Sequence, residues 1–168
     1  MIADLKNIQS TVKLVFSILI CQIIGIASVL FSQTGSNYWY ESYVLKSWNI
    51  SIYTFGAIWV LLYFLVGTSF WLIWISNTHH KTKSQALQTL IIQLILNFLW
   101  FLLFFKFHYQ VFSFLLITII LLLIITSLIQ TFKISKIVVY LLIPYFFWIL
   151  YEVILNIRIL ILFYSYQD

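Results

Sequence analysis

The chain has 168 residues, of which 64% are hydrophobic and only 8% charged, with nine basic and four acidic side chains and a formal net charge of +5. A soluble domain is about one quarter charged, so this chain lacks the polar side chains to cover a globule in water, and lipid is the solvent its surface implies. The bases are spread between hydrophobic runs and form no patch, which argues against a nucleic-acid surface and makes them topology signals.

Crossing a hydrocarbon core takes about 20 mostly apolar residues. Five stretches qualify: residues 14–32, 52–75, 86–105, 111–132 and 137–163. They are too long and too continuous for barrel strands of alternating polarity. Helices are the remaining way to satisfy the backbone in lipid. The predicted fold class is therefore an all-α membrane protein: one five-transmembrane-helix bundle over residues 1–168.

The first stretch follows Lys6 and Lys13, as a signal core would. It is longer than such a core and no small-x-small cleavage site follows, so it reads as a retained first helix. Cys21 lies inside it and is the single cysteine, which excludes a disulfide within the chain and any zinc spacing. Residues 33–50 form the one long connection and carry Tyr38, Trp39, Tyr40, Tyr43 and Trp48. A loop of this length and ring content is either an aromatic belt at the interface or a lid over a cavity.

Lys6, Lys13, Lys81, Lys83, Lys133 and Lys136 fall on one side of a five-span chain, and Lys46, Lys106 and Arg158 on the other. The bias predicts an amino terminus inside and a carboxyl terminus outside. His79 and His80 follow the second span as a solvated turn. There is no internal repeat, Gly-rich phosphate loop, metal-ligand pair or acid–base set for ordinary hydrolysis or transfer. The chain calls for no cofactor or metal.

Three spans carry stripes at helical spacing. They are Phe55, Trp59, Tyr63 and Gly67; Gln93, Asn97, Trp100 and Phe104; and Tyr145, Trp148, Glu152 and Asn156. Polar side chains in mid-span face the bundle, so these faces should converge. Packing through interhelical hydrogen bonds and a ring-lined pocket for a flat apolar ligand both fit the periodicity. A carboxylate at the level of Glu152 must be protonated, paired or beside water. Pro144 removes the donor that would bond to Tyr140, so a bend or local opening is expected there.

Leu141-Leu142-Ile143-Pro144-Tyr145-Phe146-Phe147-Trp148, followed by Leu155-Asn156, resembles the fifth-helix signature of the TspO/translocator family, also called TspO/MBR. Gln93 to Trp100, ending in Phe104-Phe105, is similar to its third-helix pattern. Trp39-Tyr40, Ser47-Trp48, Phe55, Trp59, Leu62-Tyr63 and Gly67 resemble its first loop and second helix. The resemblance covers about residues 39–105 and 141–156.

It implies a five-helix bundle, often a homodimer, with a cavity closed by the first loop. The implied ligands are porphyrins and related tetrapyrroles or other flat hydrophobic molecules. The implied role is that of a membrane sensor or receptor. Alternatives are a transporter of such ligands or a light-dependent porphyrin-degrading activity. Trp59, Tyr63, Asn97, Trp100 and Trp148 would line the cavity, with Phe55, Tyr145 and Glu152 on the same faces and Trp39 and Tyr40 in the lid. The expected location is a bacterial cytoplasmic membrane.

The chain departs from the family pattern in places. Leu45-Lys46 and Ile50-Ser51 stand where the family has Lys-Pro and Pro-Pro, and Glu152 stands where it commonly has Ala. Tyr164 and Tyr166 lack the following base of the mitochondrial sterol motif, so cholesterol binding is not implied.

Overall fold

A computed structural model describes residues 2–32 and 52–165. Five long helices account for nearly all of them: α1 (Ile2–Ser32), α2 (Ile52–Ile75), α3 (His80–Phe101), α4 (Gln110–Phe132) and α5 (Lys136–Ser165). Each is long and apolar enough to cross a membrane. The protein is an integral, multi-pass membrane protein with an all-α fold.

The helix bounds differ from the predicted spans where polar residues extend a helix beyond its apolar stretch. α1 begins at Ile2 and α3 at His80, a dozen and six residues before the predicted starts. Lys, Gln and Thr are tolerated in a helix, and outside lipid nothing ends one until the cap. His79 supplies that cap on α3, its Nδ1 accepting from the Lys81 backbone N–H at 3.4 Å. The two histidines are exposed, as a solvated turn requires.

α3 ends in a turn of π-helix, Leu102–Lys106, where one extra residue enters the spiral. The chain then reverses through residues 107–109, with His108 in the left-handed region at φ 55°. α5 runs unbroken through Pro144, which faces outward.

The helices close into a ring. α1 packs on α2, α2 on α5, α5 on α4, α4 on α3, and α3 returns to α1 and α2. α1 turns small residues toward α2: Ser17, Cys21 and Gly25 are buried at four-residue spacing, a pattern that lets helices approach closely. A Cβ on Gly25 would lie 2.5 Å from Tyr63 Cδ2, and one on Gly67 would lie 2.8 Å from the Ile18 Cα. Two hydrogen bonds pin the same pair, Trp71 Nε1 to the Ser10 carbonyl and Gln22 Nε2 to the Val60 carbonyl, each 2.9 Å.

α4 buries Ile117, Ile120 and Ile124. Its polar contacts with α3 are Gln93 Nε2 donating to Ser127 Oγ at 2.7 Å and Thr89 Oγ1 donating to Gln130 Oε1 at 3.1 Å. The outer surfaces of the helices are mostly apolar, with Ile23, Leu30, Leu122, Ile129 and Phe147 among the most exposed side chains.

Candidate functional site

The ring stripes of α2 and α5 meet in the half of the bundle that leads to residues 33–51. Trp59, only 1% exposed, is at the centre. Its ring lies 5.3 Å from Tyr63, 6.4 Å from Tyr145 and 5.1 Å from Phe101. Phe55, one turn away, touches Trp148 at 5.6 Å, Phe105 at 5.7 Å and Phe101 at 6.4 Å. These separations are those of favourable tilted and edge-on aromatic pairs.

Polar groups are set among the rings. Trp59 Nε1 donates to Glu152 Oε1 at 3.1 Å. Trp148 turns its indole N–H toward the same carboxyl but falls outside hydrogen-bonding geometry. Asn97 donates through Nδ2 to the Tyr145 hydroxyl, linking α3 to α5. Asn156 donates to the Glu152 carbonyl at 2.9 Å. Five buried atoms beside these bonds have no partner among the described residues: Glu152 Oε2, Asn97 Oδ1, Asn156 Oδ1, Trp100 Nε1 and Trp148 Nε1. An unsatisfied buried polar group costs about 1–3 kcal/mol.

The structure thus brings together Phe55, Trp59, Tyr63, Asn97, Tyr145, Trp148 and Glu152. Trp100 joins indirectly: it stacks on Phe104 at 4.9 Å and meets Phe101 edge-on at 5.3 Å. Gln93 is turned to α4 and Gly67 to α1, so those two members of the stripes serve packing. Trp39, Tyr40 and the whole 33–50 loop, with Lys46, lie outside the described residues.

Phe101 and Phe105 were not among the expected site residues, yet both face the Phe55 ring. They continue the four-residue spacing of Gln93 and Asn97, but sit in an unbroken apolar run where the adjacent rings Trp100 and Phe104 continue it equally well.

Among the described residues, one open volume beside the rings is a cavity of about 170 Å³ against α1, bordered by Gly25, Gly56, Trp59 and Tyr63. Trp148 is half-buried and forms the accessible edge of the cluster.

Five membrane-spanning helices that enclose a tryptophan-rich aromatic cluster around a buried carboxyl define a small multi-pass membrane protein of the tryptophan-rich class. The sequence model of the TspO/MBR family matches residues 17–162. A tryptophan-rich protein TspO of Archaeoglobus fulgidus is 32% identical over 154 residues, covering 92% of this chain and 99% of that one. A tryptophan-rich protein TspO of Chlorobaculum tepidum is 26% identical over 141 residues, covering 84% of this chain and 89% of that one. The chain belongs to the TspO/MBR family.

Proposed function

We propose that this protein is a membrane sensor that binds flat, ring-shaped hydrophobic ligands of the tetrapyrrole type among α2, α3 and α5. The observation that carries the reading is the meeting of Phe55, Trp59, Tyr145 and Trp148 around Glu152 and Asn97, whose Oε2 and Oδ1 lack partners. The rings offer faces for stacking, and the unpaired atoms offer acceptors for pyrrole N–H groups or for a protonated propionate.

A site for such a ligand is usually about 300–1,000 Å³, larger than the 170 Å³ beside Trp59. Binding at that cavity therefore requires the rings to part. Trp148 is the member placed to move, because it alone of the central rings is half exposed.

In this reading the amino terminus lies inside, which the gathering of Lys13, Lys81, Lys83, Lys133 and Lys136 at one end of the alternating helices supports.

The test is titration of the detergent-solubilised protein with protoporphyrin IX, followed by tryptophan fluorescence, beside a Trp59→Ala, Trp148→Ala variant. Saturable quenching that the variant loses supports the reading. Equal binding by both, or none by either, leaves the cluster as helix packing.

A further inference from the structure

We propose a second site, at the opposite end of the bundle, that holds one anionic phospholipid of the lysine-rich leaflet. An apolar slot of about 370 Å³ runs between α1 and α3, walled by Phe16, Ile20 and Cys21 on one side and Ile91 and Leu94 on the other. At its end lies a polar mouth of about 390 Å³ lined by Lys13, His80, Lys83 and Ser84. Trp74 and Leu87 border both, so the slot opens into the mouth.

The dimensions suit one acyl chain under one headgroup. Mouth and slot together extend along α1 from Lys13 to Ile24, eleven residues or about 16 Å of helix. Half the hydrocarbon thickness is about 15 Å. A chain lying there would reach the bilayer midplane while its headgroup stayed level with Lys13.

Charge selects the headgroup. Neither lysine of the mouth is freely solvated: Lys13 Nζ lies 5.4 Å from the centre of the Trp74 ring, and Lys83 Nζ donates to the Ser76 carbonyl at 3.1 Å. Both are half-buried, and no residue lining the mouth is acidic. Asp4 is nine residues before Lys13 on α1, about 13 Å along the axis. Two fixed ammonium groups, the exposed His80 and an interfacial tryptophan make a seat for a phosphate diester. By the positive-inside rule this leaflet is the cytoplasmic one, where anionic lipids draw juxtamembrane lysines.

The experiment is native mass spectrometry of the protein released from nanodiscs of equal phosphatidylglycerol and phosphatidylcholine. One retained phosphatidylglycerol per chain is expected. The Lys13→Gln, Lys83→Gln variant should cut its retention roughly tenfold or more, as two lost lysine contacts imply, and Lys13→Arg, Lys83→Arg should restore it. Ile91→Trp, which fills the slot and leaves the charges, should also abolish retention.

Helical circular dichroism unchanged from the parent guards against misfolded variants. Equal retention of the two lipids overturns the proposal. So does retention indifferent to the lysines, or a lipid-free dimer with the slot closed between two copies.

Discussion

The Trp59 indole and the Glu152 carboxyl are 93 residues apart in the chain, yet they meet at 3.1 Å and tie α2 to α5 at the centre of the aromatic cluster. The bond places a hydrogen-bond acceptor in a fully buried position, where the indole N–H has no alternative partner in lipid. Glu152→Gln keeps an amide oxygen for that N–H and is expected to cost less stability than a change that removes the acceptor. Glu152→Leu removes the acceptor and strands the indole, with an expected loss of about 1–3 kcal/mol. Thermal unfolding in detergent micelles compares the two. A Leu variant as stable as the parent would mean that the pair does not hold α2 to α5.

Asn97 and Tyr145 make the corresponding link between α3 and α5. Interhelical hydrogen bonds in membranes contribute about 0.6 kcal/mol on average and up to about 1.7. The Tyr145 hydroxyl is buried, so Tyr145→Phe should fall toward the upper end of that range. Asn97→Leu should cost a similar amount. Made together, the two should cost clearly less than their sum, because the second change removes a group that the first has already stranded. A denaturant series on the four proteins checks this, and strict additivity would rule the link out.

The two kinds of structure were unequally readable from the sequence. The spans were legible because a bilayer demands a minimum apolar length and the chain meets it five times. The converging faces were legible where rings and polar groups alternate within a helix, as at Phe55, Trp59 and Tyr63 or Tyr145, Trp148 and Glu152. Phe101 and Phe105 were not. They keep the four-residue spacing of Gln93 and Asn97, but in a wholly apolar run the neighbouring rings Trp100 and Phe104 fit the same stripe and every face looks alike.

The same limit applies to Gly67. It continues the four-residue stripe of Phe55, Trp59 and Tyr63, but its neighbour has changed from a ring cluster to the backbone of α1. The Ser17, Cys21 and Gly25 stripe that receives α2 was also overlooked. A search for paired glycines does not register serine and cysteine as small residues.

The glycines of the α1–α2 contact offer a graded test of this packing. At Gly67 an added methyl meets backbone, the Ile18 Cα at 2.8 Å and the Ser17 oxygen at 3.1 Å. At Gly25 it meets a ring, Tyr63, at 2.5 Å. At Gly56 it meets nothing within 4 Å. Gly67→Ala should therefore destabilise most, by about 1–3 kcal/mol, since overpacking against backbone forces the helices apart. Gly25→Ala should cost somewhat less, because the Tyr63 ring is able to turn. Gly56→Ala should be neutral or stabilising by up to about 1 kcal/mol, through the entropy of the unfolded chain. Unfolding midpoints that do not follow this order would argue against the close α1–α2 approach.

Phe101 supplies the sharpest check on the proposed ligand site, because the stripe drawn through Trp100 and Phe104 passed it over. Its ring touches both Phe55 and Trp59, whereas Phe112 on α4 is 63% exposed and takes no part in the cluster. Phe101→Leu keeps the apolar bulk and removes the ring. Each lost aromatic contact is worth about 0.5–1.5 kcal/mol, which corresponds to a weakening of protoporphyrin IX binding of about 2- to 10-fold. Phe112→Leu should leave the affinity unchanged. Both are read from the same fluorescence titration, with helical circular dichroism as the check on folding. If both variants bind as the parent does, the ligand does not stack within the cluster. If Phe101→Leu alone weakens, the wall of the site includes the last turn of α3.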